Sequence, residues 1–246
     1  MVQEARELAA RIAKELPEHQ TGAKLLADFA ASLGQQDLLP GCLSQKEETT
    51  SSVETPRNLV QETFDLLSSL REPTDQERKE VGARKGILLP VKATSLGQFY
   101  SENQPYFGWV NESRSLRDYT PPLAFKVAVF PDKRYVSGSN NSSQVRQLQM
   151  TEDYSKKKIE PVFSGAKAIM LPATVLAQLD VEFQKRNNGA KLFQDFWVRA
   201  LDTTVDPNVA NVGRAHPDNR LNVNDWNRDV GHLHVWAFPA VVFVRK

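Results

Sequence analysis

The feature that most constrains this chain is a change of hydrophobic period just after Gly82. Upstream, apolar residues recur about every 3.6 positions; downstream they come as short runs and alternations with a period of about 2. Two periods in succession, not interleaved, predict helices segregated from strands. The expected fold class is α+β, with an N-terminal all-α helical bundle followed by a mixed or mostly antiparallel sheet domain carrying a helix pair on one face.

The upstream stripes are Val2, Leu8, Ile12 and Leu16, ended by Pro17, then Leu25, Leu26, Phe29 and Leu33, ended by Gly34. A third helix starts at Thr55-Pro56 and buries Leu59, Val60, Phe64, Leu67 and Leu70. Thr74-Asp-Gln-Glu77 has the spacing of a capping box, but the residues after it show no apolar face, which predicts a solvated spacer. Residues 1–80 are therefore expected to form an acidic helical bundle, interrupted by a mobile polar linker at about 44–55. Residues 84–246 are expected to form a basic α+β domain. Charge follows the same division, with 9 Lys and Arg against 15 Asp and Glu in residues 1–80, and 22 against 15 in the remainder.

Downstream, strands are expected at 86–92, 106–110, 123–130 and 167–171. A helix from 172 is followed by a second at 190–201, which turns Leu192, Phe193, Phe196, Trp197 and Ala200 inward. Residues 202–230 are rich in Asn and Asp and are expected to form a long polar loop. The chain closes on an apolar strand at 231–244. Pro239 cannot donate to a ladder, so a bulge or a change of sheet edge is expected to divide that strand, with its second half as a buried inner strand.

Composition narrows the function classes. A formal net charge of +1 gives no global field toward nucleic acid or an anionic membrane. The single cysteine, Cys42, excludes an internal disulfide and a cysteine-rich zinc site. No run approaches the roughly 18 apolar residues of a membrane span, and the first residues lack the apolar core of a signal peptide. A soluble, cytoplasmic protein without membrane attachment is the expectation. Phosphate-loop, dinucleotide and nucleophile-elbow patterns are absent.

Two groups of residues carry chemistry. On a terminal strand His232 and His234 would share a face, and His216 and Asp218 lie within reach in the preceding segment; three such ligands and an open position suit a divalent transition metal of a hydrolase or oxygenase. Tyr106, Trp109, Arg114 and Arg117 mix aromatic rings with cations, the raw material of a single-stranded nucleic-acid surface. With no catalytic motif, the leading expectation is a non-catalytic, cofactor-free interaction protein. Its residues 1–80 would act as an adaptor for a protein partner, and its α+β domain would bind a ligand or protein. Metal-dependent catalysis and nucleic-acid binding are the alternatives.

Overall fold

The computed structural model describes residues 58–214 and 219–245. Residues 56–246 form one compact unit. In chain order its elements begin with α1 (Leu59–Leu67), α2 (Asp75–Ala83), β1 (Ile87–Val91), α3 (Leu96–Glu102), β2 (Phe107–Val110), α4 (Arg114–Asp118) and β3 (Phe125–Val129). They continue with α5 (Gln144–Tyr154), which runs into a π-helical turn at Ser155–Ile159, then β4 (Ala166–Ile169) and α6 (Ala173–Arg186). The last five are β5 (Trp197–Thr203), β6 (Asn208–Gly213), β7 (Leu221–Asn227), β8 (Val235–Trp236) and β9 (Ala240–Phe243).

The strands make two sheets. The first has the order β1-β3-β9-β4 and is antiparallel throughout. The second, β2-β7-β6-β5-β8, is mixed, with parallel pairs at both edges and antiparallel pairs between. Helix α6 joins them. Eleven of its fourteen residues are buried, so it is a core helix and not a half-solvated one. Its Val175, Leu176, Leu179 and Phe183 belong to one apolar cluster with Leu89 and Val127 of the first sheet and Val198, Ala210 and Val223 of the second.

A buried carboxylate fixes how the chain leaves α6. Asp180 accepts the backbone N–H groups of Leu192 and Phe193 at 3.0 and 3.1 Å, the Gln184 amide at 2.8 Å, and the Arg214 guanidinium. This hub ties the helix to the loop before β5 and to the residue after β6. Burial raises the Asp180 pKa, against the Arg214 charge and the hydrogen bonds that lower it.

Several expectations are corrected. The described helices are not an N-terminal bundle. Leu67 of α1 and the following Leu70 lie in the core of the sheet unit, and Leu70 forms a bridge with Val244 at the far end of the chain. The apolar stripe of α1 is present, but it serves the sheet unit: Leu59, Val60 and Phe64 pack with Leu148, Met150 and Tyr154 of α5, while Leu67 enters the core shared by the two sheets. The capping box of α2 is present, with Thr74 and Glu77 each accepting the other's backbone N–H, yet the helix is no spacer: Val81 and Glu77 are both buried. The expected stripes at residues 1–34 and the linker at 44–55 lie outside the described residues.

The helix pair is also corrected to a single helix. Residues 197–203 form β5, because Asp195 sits at φ 66° and breaks any helix there, and because β6 offers a ladder partner. The polar segment 202–230 is no long loop; it contains the hairpin of β6 and β7. At the C-terminus, the expected division at Pro239 is present. β8 is an edge strand of the second sheet, and β9 is an inner strand of the first, between β3 and β4.

Among the described residues, no helix is long and apolar enough to cross a membrane.

Candidate functional site

Residues directly opposite in a ladder share a face, so the pairing of the second sheet sorts its side chains. One face carries Val198, Ala200, Ala210, Val212, Leu221 and Val223, all in the core. The other carries a different population. Trp109, Asn222, Gly213 and Trp197 form one row across four strands. Asn224, Asn211 and Arg199 form the next, and Trp226 lies opposite Val209 beyond them. Three of the chain's four tryptophans therefore fall on one polar face. Trp109 is 45 % exposed and Trp226 38 %.

Each row has a local cause. A Cβ on Gly213 would lie 2.4 Å from the Phe196 carbonyl oxygen and 3.1 Å from the Trp197 indole, so glycine leaves the room that the ring occupies. Asn211 is buried, and the amide orientation that satisfies it donates to the Ala210 carbonyl at 3.3 Å and accepts the Trp226 backbone N–H at 3.2 Å. Asn222 donates to the Arg220 carbonyl. Asn224 is different: its oxygen accepts the Asp225 N–H at 2.8 Å, and its amide nitrogen is left toward solvent.

Arg199 is fully buried and holds the turn that borders the face. Its Nη1 donates to the carbonyls of Asn227 and Arg228, and its Nη2 to that of Val230, all at 3.0–3.1 Å. Burial lowers its pKa to about 10, with Asp229 opposing the shift, so it stays charged at neutral pH. Its Nη donors are engaged with backbone, and its Nε is buried without a partner, so the guanidinium is spent on the turn. Arg228 is paired with Asp206 at 2.6 Å. Asp225 alternates to the opposite face and accepts from Thr204 Oγ1 at 2.9 Å.

Beyond that turn, Asn141 N–H donates to the His232 carbonyl at 3.0 Å and the Asn140 amide to the Leu233 carbonyl at 3.2 Å. This brings the His232 ring edge-on to Trp226, with centroids 4.7 Å apart. Trp197, Asn224, Trp226 and His232 then border a cavity of about 130 Å³, which Asn211, Val235 and Asp225, the last engaged by Thr204, also line.

The sequence-derived metal candidates are distributed as follows. His232 and His234 occupy a turn rather than a strand, so they are not consecutive residues of one strand face. Their rings are 5.7 Å apart, and His232 Nδ1 accepts the His234 backbone N–H at 3.2 Å. That bond places the proton of a neutral imidazole on Nε2. Asp225 and Asp229 complete no cluster with them, since no group of three or more metal-ligating side chains occurs among the described residues. His216 and Asp218 lie outside those residues.

Of the nucleic-acid candidates, Trp109 belongs to the polar face. Tyr106 lies beneath Lys185, whose Nζ is 5.5 Å from the ring centroid. The Arg117 guanidinium stacks over Tyr100 and donates to the carbonyls of Val110 and Asn111, and the exposed Arg114 is 3.9 Å from Asp118.

No family model, curated protein or solved structure matches the chain. The geometry of the face therefore carries the functional argument. Sequence reasoning missed Trp197, Trp226 and Asn224, although Asn222, Asn224 and Trp226 alternate with Leu221 and Val223 as the residues of a half-solvated strand should.

Proposed function

We propose that residues 56–246 form a non-catalytic ligand-binding domain whose ligand is a neutral saccharide laid on the tryptophan and asparagine face of the second sheet. The observation that supports this most is the union of three tryptophans with a free amide on a face poor in available charge. Indole rings offer flat apolar area with little conformational freedom to lose. The C–H face of a pyranose ring matches such a surface. Sugar hydroxyls and ring oxygens then need donors and acceptors at the rim, and Asn224 Nδ2 and His232 Nε2 are of the right kind. A cavity of about 130 Å³ suits one ring resting on the surface and not an engulfed ligand.

The charge of the face argues against single-stranded nucleic acid there. Stacked bases bring phosphates, and phosphate binding needs unengaged cations. Arg199 and Arg228 are both engaged. Within the interaction-protein reading, support falls on the α+β domain. Residues 58–80 direct their apolar side chains into its core and are not free to recruit a partner through them. The single cysteine supports a cytoplasmic setting.

The test is a titration of the full chain with soluble gluco-, manno- and xylo-oligosaccharides, read by tryptophan fluorescence and calorimetry. Saturable quenching insensitive to salt is expected, with Trp226→Ala or Asn224→Ala weakening it at least about tenfold at an unchanged melting temperature. A silent panel, or binding that those two variants leave intact, overturns the proposal.

A further inference from the structure

A second concavity lies at one end of the first sheet and shares no residue with the tryptophan face. It has a volume of about 340 Å³, in the range of small-molecule sites, and its cations are Arg84, Lys85, Lys133, Lys157 and Lys158. Asp132 is the one acid on its lining. Arg84 is paired with Glu80 at 2.6 Å, whereas the four lysines make no ion pair among the described residues. Four free cations against one carboxylate leave a surplus of three positive charges. Its apolar wall contains Phe130 and Tyr154, both half-buried, with Phe163 packed behind Phe130 at 6.3 Å.

Two backbone irregularities deliver these lysines. Helix α2 ends in a Schellman motif, in which Gly86 N–H donates to the Val81 carbonyl at 2.8 Å and Lys85 N–H to the Gly82 carbonyl at 2.9 Å. The left-handed position of that motif favours glycine. Here it is Lys85, at φ 60°. The π-helical turn Ser155–Ile159 is the second irregularity, a form concentrated at functional sites. It keeps Ser155 and Ile159 buried while Lys157 and Lys158 reach the cavity. Gly86 itself admits the aromatic wall, since a Cβ there would lie 2.7 Å from the Phe130 ring.

We infer that this cavity is a binding site for a nucleoside di- or triphosphate, with the phosphates among Lys85, Lys133, Lys157 and Lys158 and the base against Phe130 and Tyr154. Lysines act on phosphate as point charges and need no bidentate geometry, which suits a mobile polyphosphate chain. Backbone strain held at the lysine in the left-handed position is what a functional demand produces, because glycine there would relieve it at the cost of the charge.

Calorimetry of the full chain with ATP, pyrophosphate and adenosine tests the inference. ATP is expected to bind saturably, pyrophosphate about tenfold more weakly, adenosine more weakly still, and ATP affinity to fall as salt rises. Lys85→Gly is the informative variant. It should weaken ATP about tenfold while leaving the melting temperature unchanged or higher, which a purely structural lysine would not do. Phe130→Leu should weaken ATP and leave pyrophosphate unaffected. Absence of saturable ATP binding, ATP affinity undisturbed by Lys85→Gly, or pyrophosphate binding as tightly as ATP would each overturn the assignment. So would an oligonucleotide that binds without competition from ATP.

Discussion

Asp202 and Glu77 give the unit opposite responses to acid. The Asp202 carboxyl is buried at the start of α6, accepts the Ala173 backbone N–H, and faces Tyr119, whose own pKa is raised by burial and by Asp202. Burial pushes the Asp202 pKa up to about 6. A carboxyl raised in the folded state contributes stability that is complete below its unfolded pKa and lost as pH rises through the folded one. Between about pH 4 and pH 6 the protein should lose about 3 kcal/mol through this group. Asp202→Asn keeps an acceptor for Ala173 and removes the titration, so urea denaturation at pH 4.5 and 7 should show a smaller difference for the variant. An equal pH dependence in both proteins would remove Asp202 as the cause. Glu77 works the other way. The Arg71 guanidinium, bonded to both carboxylate oxygens at 2.7 and 2.8 Å, holds its pKa down to about 2. Its stabilisation is present above about pH 4.5 and lost as pH falls through 2. Glu77→Gln should therefore destabilise at neutral pH and converge with the parent protein near pH 2.

At the scale of elements, the tryptophan face depends on one glycine. Gly213→Ala would bring a Cβ within 2.8 Å of the Trp197 Cα as well as 2.4 Å of the Phe196 carbonyl, both backbone atoms that cannot step aside. The β5–β6 ladder must then shift or open, at about 1–3 kcal/mol or more. Thermal denaturation should show that loss, and the saccharide binding proposed for this face should weaken with it. An unchanged melting temperature would mean that the ladder relaxes freely. The same elements show what the sequence could and could not convey. Strands β1, β2, β3 and β4 and helix α6 were legible because apolar runs bounded by Gly and Pro specify them locally. β5 was not, since Trp-Val-Arg-Ala-Leu suits either period until β6 supplies its partner. Helix α5 had no apolar stripe to find. Its inward residues include Gln144 and Gln147, whose amides donate to the carbonyls of Ala200, Leu201, Ser139 and Val235. The histidine pair does not share a strand face as its spacing suggests, since the turn at 231–234 is set by Asn140 and Asn141, some ninety residues earlier.

At the scale of the whole unit, the most distant part of the sequence completes the centre of the first sheet. β9 is inserted between β3 and β4, its four residues are all buried, and Val244 is bridged to Leu70. Arg71 reinforces the junction, its backbone N–H donating to the Phe243 carbonyl at 2.9 Å and its Nε to the Val244 carbonyl at 3.0 Å. Without β9, both β3 and β4 would expose an unpaired edge, and the Val241 and Phe243 side of the core would open. A fragment of residues 56–246 retains every described core residue, and it should unfold cooperatively. A chain ending at Pro239 should lose near-UV ellipticity and its cooperative transition, because each β9 neighbour lies too far away in sequence to substitute a local contact. If the shortened chain still melts cooperatively, the first sheet does not need its inner strand, and the pairing of Leu70 and Arg71 with the C-terminus is decoration and not structure.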